Sequence, residues 1–511
     1  MKKLAIFLFA VVLILSLTAC GNSTTDGENP GNATGIKDTI TWAQGTDVFS
    51  FDPHIGKETT AIQVTGNIYD TLVTVDGDMN VLPMLATEWE RISDLEYEFT
   101  IREGVKFHDG SPFTVEDVKF SLERAINSPQ VAYITDFMEK VEIKDENTIK
   151  ITTHEPYAAT LLNLTHPAAG MVSKAYTESQ DKILESAPMG TGPYKFVEWR
   201  QGDYVKLTAF DEYWGGKPET KNLVMRIIPE NAQRTIALEL GEVDVAYDIL
   251  PNDVSKIKEN ADLAMMEIPA LTSFTVAFNL SKPALENKLV REAIRLAIDS
   301  QVIVDSIYYG AGEVAHSMIP PGAFGFQKDV KIEPNLERAK ELLVEAGFPD
   351  GFKTNIYVND NQTRVEMCQV IQDQLKKIGI DMEIKVLEFG TFIEKCNAGE
   401  QDMMLAGWTT STADADYTYF AQFHSSKFGS QGNRVFVDIP GMDALLEAAR
   451  GSGDADERMD LYSQVEDILT AESIHRPLLY TTVNAGTSAK LNDFVLIPNG
   501  YHRYFGVTVN E

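Results

Sequence analysis

LERAKELLVEAGFPDGFKTNIYVNDNQTRVEMCQVIQDQLKKIGIDMEIKVLEFGTFIEKCNAGEQDMMLA, residues 336–406, alternates helical and strand-like segments. Leu336, Ala339, Leu342, Leu343 and Ala346 recur at the three- and four-residue steps of one helix face. Asn335 stands where an N-cap belongs, and Gly347 where such a helix stops. A strand at 354–358 follows, then a helix at 362–378 and a strand at 382–386. A further helix at 391–397 leads into a strand at 403–406. Strands separated by helices in this way argue for parallel sheets covered by helices, so the fold class is α/β.

Upstream the pattern is mixed and shows no internal repeat. Residues 40–43 read as an opening strand. Residues 60–72 read as a helix with Ile62, Thr65, Ile68 and Tyr69 on one face, and 96–102 as an alternating strand. Thr114 is placed to cap a helix that starts at Val115, and Asp117 complements its positive end. The length left after the first 35 residues exceeds what one hydrophobic core usually holds, so two or more domains are expected.

The amino terminus has the three parts of an export signal: Lys2 and Lys3, the apolar run 4–17, and small residues leading to Cys20. That run is too short to span a bilayer, which needs about 20 apolar residues. Residues 1–19 are therefore expected to be cleaved. Leu17-Thr18-Ala19-Cys20 matches the bacterial lipobox, which makes Cys20 the lipidated first residue; an ordinary cut near Ala19 is the alternative. Residues 20–35 would form a flexible tether, rich in Gly, Asn, Ser and Thr with nothing to bury. Loss of Lys2 and Lys3 leaves 42 basic against 76 acidic residues. That balance argues against nucleic acid as a partner, because phosphate contacts need clustered Lys and Arg. Cys368 and Cys396 remain, each on an apolar helix face, and are expected to be buried thiols.

Four stretches carry a resemblance: 81–89 (VLPMLATEW), 102–125 (REGVKFHDGSPFTVEDVKFSLERA), 190–218 (GTGPYKFVEWRQGDYVKLTAFDEYWGGKP) and 336–351. Together, in this order and spacing, they resemble the dipeptide-, oligopeptide- and nickel-binding lipoproteins of ABC transporters, the extracellular solute-binding protein family 5. The resemblance implies a two-lobed periplasmic-binding-protein fold of the large peptide-binding type. Lobe 1 would take 36–270 plus 485–511, with an extra subdomain about 82–188, and lobe 2 would take 271–484. It implies a monomer without cofactor, tethered to the outer face of the cell membrane through Cys20. Its partners would be a small-molecule or peptide ligand and an ABC permease and ATPase complex.

The segment 407–420, GWTTSTADADYTYF, follows the strand 403–406 and so emerges at a strand's carboxyl end, where open α/β sheets bind ligands. Trp408, Thr409, Ser411, Asp414 and Asp416 are its candidate ligand contacts; Trp408 either packs on the ligand or fills the core below. In relatives that bind dipeptides the resemblance implies an Asp soon after the Trp, holding the peptide ammonium. Here Ser411 stands at that place, so either Asp414 substitutes or the ammonium is held otherwise. One of Asp414 and Asp416 is also placed to cap a helix near Tyr417. Arg364 is a candidate for the ligand carboxylate, which a guanidinium matches bidentately, unless it is a solvated first-turn residue. Thr46 and Phe49 follow the first strand and are candidates for the facing wall; Ser273 and Phe274 are candidates at the crossing between lobes. No metal site is expected, since the eight His include no pair three or four residues apart. The alternatives are a nickel or metallophore carrier, an oligosaccharide carrier, and, in a different class, a surface-anchored hydrolase. No nucleophile elbow or His-Glu-x-x-His pattern supports the last, and no catalytic residue is assigned.

Overall fold

The computed structural model describes residues 35–511 apart from Lys57, Asp329, Ser430 and Gln431. The export signal, Cys20 and nearly all of the tether lie outside the described residues.

One mixed sheet runs through the two lobes. Its strands lie in the order Asp381–Leu387, Lys353–Asn359, Met403–Thr409, Leu263–Phe278, His475–Ser488, Val245–Tyr247, Thr39–Gln44, Asn222–Ile227, Tyr204–Ala209 and Tyr194–Arg200. Two of them, Leu263–Phe278 and His475–Ser488, are long enough to belong to both halves. Leu263 to Pro269 pair with Ser488 to Thr482, and Ser273 to Ala277 with Tyr480 to His475. Between Pro269 and Ser273 the register slips, a bulge that bends the pair where the halves meet.

The neighbours fix which way each half points. Val245–Tyr247 pairs antiparallel with His475–Ser488 and ends opposite Ala485. From the other side, Met403–Thr409 pairs antiparallel with Leu263–Phe278 and ends opposite Thr272. Thr39–Gln44 runs parallel to Val245–Tyr247, and Lys353–Asn359 parallel to Met403–Thr409. The carboxyl ends of strands from both halves therefore point at the same crossing, residues 481–484.

A separate antiparallel sheet, in the order Ala86–Arg91, Glu96–Ile101, Thr148–Thr153 and Met138–Ile143, has its own core of Phe99, Phe107, Val118, Leu122, Ile149 and Ile151. The helix Val115–Ile126 covers it, started by a capping box in which the Thr114 amide donates to the Asp117 carboxylate at 3.0 Å. In the second half the helix Leu336–Glu345 buries Ala339, Leu342 and Leu343, capped by Asn335 and followed by Gly347 at φ +89°.

Two local expectations change. The helix expected over 60–72 spans only Thr59–Thr65. The carbonyls of Asn67 and Ile68 accept from the Tyr194 and Gly192 amides at 3.0 and 2.9 Å, so they are committed to a distant turn. Gly190 and Gly192 are needed there, because a Cβ at either would collide with the main chain of Ile68. The strand expected over 403–406 extends to Thr409, held by pairing through Thr272. Trp408 and Thr409 are thus strand residues, and the loop begins at Thr410.

Candidate ligand-binding site

Strand alternation sorts the candidates near the crossing onto two faces. Phe274 lies opposite Gly407, where a Cβ would come within 2.9 Å of the Phe274 ring. The Arg364 guanidinium lies over that ring, 5.2 Å from its centre, and donates to Asn359 Oδ1 at 2.8 Å. Arg364 is half-buried, and burial holds its pKa below the ordinary arginine value. Thr409 is on this face too, its hydroxyl 2.7 Å from that of Thr272. Trp408 projects to the other face, directly opposite Ser273. Ser273 is fully buried and donates to the Met318 carbonyl at 2.8 Å. Arg364, Phe274 and Thr409 therefore form one group, and Trp408 heads another.

On the Trp408 face the indole donates to Thr418 Oγ1 at 3.0 Å and packs on Tyr417 at 5.6 Å. Asp414, 1% exposed, caps the helix Ala415–Phe423 through the Asp416 amide and pairs with Arg458 at 2.8 Å. Burial nevertheless keeps its carboxyl pKa above the usual carboxylate range. Asp416, 2% exposed, accepts both Arg450 Nε and Nη2, at 2.9 and 3.0 Å. Ser411 is reached by the hydroxyls of Tyr417 and Tyr501, and its carbonyl accepts from Asn499 at 3.4 Å. Asp414, Asp416 and Ser411 thus each have partners from the protein itself.

A crevice of about 960 Å³ opens between this loop and the subdomain. Trp408, Asp416, Tyr417, Phe420, Lys427, Arg434 and Arg450 line one wall; Asp136, Phe137, His154, Glu155 and Tyr157 line the other. The Arg450 guanidinium covers the Phe420 ring at 3.2 Å, reaches Tyr157 at 5.2 Å and lies 3.6 Å from Glu155. It spans the crevice mouth from Phe420 to Glu155 and Tyr157, which follow the strand Thr148–Thr153. Asp136 is pushed up by burial, against the opposing charges of Lys427 and Arg450. A smaller cavity of about 300 Å³ lies between Ile62, Tyr69, Tyr501 and Arg503.

On the lobe 1 bank, Thr46 is exposed, and Phe49 is 75% exposed. Asp47 between them is tied to the Trp199 indole at 3.0 Å and the Gly202 amide at 2.7 Å. His108 lies with Nε2 3.0 Å from the Gly192 carbonyl. Cys368 and Cys396 are buried, and burial pushes both thiols up to about 12. Among the described residues no group of three or more His, Cys, Asp or Glu is placed to hold a metal ion.

Arg450, Arg434, Tyr157, His154 and Asp136 had no mark in the sequence. Tyr417 and Phe420 were inside the quoted loop, and their spacing of three on the helix after it was the available signal.

Residues 80–430 match the model of the bacterial extracellular solute-binding proteins, family 5. The glutathione-binding protein GsiB of Salmonella typhi is 31% identical over 480 residues, covering 91% of this chain and 93% of its own. The dipeptide-binding protein of Escherichia coli is 29% identical over 481 residues, covering 86% and 89%. The solved structure of the ABC transporter-associated periplasmic binding protein DppA from Helicobacter pylori, in complex with a peptide, superposes with a TM-score of 0.81 at 30% identity, covering 93% of this chain and 98% of that one. With a two-lobed sheet whose strands converge on a central crossing, and with matches along nearly its whole length, the chain belongs to the bacterial extracellular solute-binding proteins, family 5.

Proposed function

We propose that this solute-binding protein captures short peptides over the strand crossing and delivers them to the permease and ATPase of an ABC importer. Its family consists of binding proteins rather than enzymes. The observation that carries the peptide reading is the convergence of strand carboxyl ends from both lobes on residues 481–484. Open α/β sheets bind ligands at such ends, and an extended peptide can add to exposed strand ends through its own backbone. Relatives named for glutathione and for dipeptides favour the same ligand class.

The lobes are 36–270 plus 485–511 and 271–484, with a subdomain about 82–188. The bulged strand pair is their hinge, and closure about it traps the ligand. Arg364, over Phe274 at the carboxyl end of the strand Lys353–Asn359, takes the ligand carboxylate where the strand ends meet, while Trp408 with Tyr417 and Phe420, on the other face, forms an aromatic wall for a side chain that reaches past the sheet end. Thr46, Phe49 and Thr409 lie at the rims. Ser273 and Asp414 contribute from behind, the first by fixing the crossing strand and the second by starting the helix under the loop. The protein acts as a monomer on the outer face of the membrane, tethered through lipid on Cys20.

Calorimetric titration with di- to pentapeptides, a nickel–histidine complex and oligosaccharides tests the reading. Peptide binding with a fall in the radius of gyration by small-angle scattering is expected. Binding of only the nickel complex or a sugar refutes the peptide assignment. Mass spectrometry of the amino-terminal fragment from the membrane fraction tests the anchor; an unlipidated Cys20 refutes it.

A further inference from the structure

The crevice beside Trp408 holds more cations than its own carboxylates match. Lys427, Arg434 and Arg450 line it together with Asp136, Glu155 and Asp416. Arg450 donates to both carboxylate oxygens of Asp416 and lies 3.6 Å from Glu155, so those three charges are matched among themselves. Asp136 faces Lys427 from the other wall and interacts with it at longer range, without forming an ion pair. Lys427 and Arg434 have no ion-pair partner among the described residues, in a chain that carries 76 acidic against 44 basic residues.

We propose that Lys427 and Arg434 form an anion subsite for an acidic side chain of the bound peptide, so that the preferred ligands carry at least one Glu or Asp. The inference rests on the peptide reading above and adds to it the class of side chain selected.

Main-chain bonds hold the two cations side by side. The Lys427 carbonyl accepts from the amide of Asn433, the residue before Arg434, at 2.7 Å. Asn433 is fully buried, and its Nδ2 donates to the carbonyls of His424 and Val437 at 3.2 and 3.0 Å. The Arg434 carbonyl accepts from Gln401 Nε2 at 3.0 Å. Arg434 Nε donates to Asn397 Oδ1 at 2.7 Å, which orients the guanidinium and leaves its Nη groups without a partner among the described residues. A guanidinium so placed can give a carboxylate two parallel N–H bonds. Both side chains are half-buried, and burial holds the Arg434 pKa below the ordinary arginine value. An arriving carboxylate would offset that cost.

A continuous aromatic wall joins these cations to the end of the sheet. Trp408, opposite Ser273 in the strand pair, packs on Tyr417 at 5.6 Å. Tyr417 and Phe420 stand about one turn apart on the helix Ala415–Phe423. Lys427 Nζ then lies 5.6 Å from the centre of the Phe420 ring. The rings offer apolar area to a ligand's backbone and aliphatic stems, and the charge stands at the far end. At about 960 Å³ the crevice is near the top of the range of roughly 300–1,000 Å³ that small-molecule sites occupy, which leaves room for a short peptide with its side chains.

The test uses the full mature protein and two sets of tripeptides in calorimetry. One set carries a single Glu at the first, middle or last position; the other carries Gln at the same positions. Backbone and termini are common to both sets, so the ratio of affinities reads the side-chain charge alone. Wild type is expected to bind the best Glu peptide about 10-fold more tightly than its Gln twin, the step from a neutral to a charge-assisted bond. K427Q and R434Q are each expected to lower that ratio, the double variant to bring it near one, and R434K to keep part of it. The ratio is taken within one protein, so a partial loss of folded material cancels. Lys427 Nζ makes no hydrogen bond among the described residues, so K427Q remains informative if R434Q disturbs the Asn397 contact. If wild type binds both sets alike, or the double variant keeps the wild-type ratio, Lys427 and Arg434 are not an acidic subsite and the peptide reading stands. If wild type binds neither set, the peptide reading fails and this inference falls with it.

Discussion

Arg458→Ala breaks a buried ion pair at the start of the helix Ala415–Phe423. Arg458 pairs with Asp414 at 2.8 Å, donates to the Ala449 carbonyl at 2.8 Å and to Tyr462 at 3.1 Å, and lies over the Phe324 ring at 4.7 Å. Its removal leaves a carboxylate that is 1% exposed with only the Asp416 amide for company. Breaking a buried pair from one side costs about 3–5 kcal/mol. For a unit of some 200 residues that lowers the lobe 2 calorimetric transition by roughly 6–20 °C. The pH dependence gives a second signature. The Asp414 carboxyl already lies above its ordinary range through burial, with Arg458 pulling it down. Without Arg458 it rises further, so the folded variant binds a proton that the unfolded chain releases. Stability is then lost as pH rises from the unfolded value of about 3.9 up to the raised folded value. The deficit of the variant should therefore shrink between pH 7 and pH 5, by up to about 1.4 kcal/mol per unit once below that folded value. Wild type must be measured beside it. Burial holds His54 and His108 at about 4 and His166, His475 and His502 at about 3, so their contribution is itself lost as pH falls below about 6.5. Adding D414N to Arg458→Met keeps a capping side chain without the orphaned charge and should recover part of the loss. A deficit under about 1 kcal/mol, or one equal at pH 5 and pH 7, would refute the reasoning.

Trp408→Ala removes the head of the aromatic wall and should weaken peptide binding by about 2 kcal/mol in calorimetry, with the fold intact by circular dichroism; unchanged affinity would move the pocket elsewhere. Arg450→Gln cuts the link from Asp416 and Phe420 to Glu155 and Tyr157, so unliganded protein should show a larger radius of gyration in scattering. An unchanged radius would show that the crevice mouth is held by other contacts.

How far the sequence could be read depended on the range of the forces involved. Between 336 and 406 the periodicity is local, and Asn335, Gly347 and the alternating strands place elements to within a few residues. The helix expected over 60–72 failed because its end is decided by carbonyls bonded to residues more than 120 positions away. The binding loop was found from its strand, but the fate of its charges was hidden. The partners of Asp414 and Asp416 are 44 and 34 residues downstream, on helices whose docking no local pattern reveals. The separation of Arg364 from Trp408 followed from strand parity alone, and it was missed because the strand was ended at Ala406 rather than Thr409. The subdomain wall, Asp136 to Tyr157, comes from another sheet and left no trace in the loop's vicinity.

The internal pairing of the loop implies a division of labour at the site. A loop whose carboxylates are already matched by Arg458 and Arg450 presents shape more than charge: Trp408, Tyr417 and Phe420 offer flat apolar area that accepts many side chains. Arg364 stands apart from that loop, over the Phe274 ring and bonded to Asn359. On the peptide reading it meets the ligand carboxylate, which every peptide has in common. Substitution of Arg364 should therefore change affinity for all peptides by similar factors. Substitutions in the loop should instead reorder preferences among peptides. An Arg364 variant that changed selectivity without changing overall affinity would break that division, because a group that contacts only the common end of a ligand has nothing with which to tell one side chain from another.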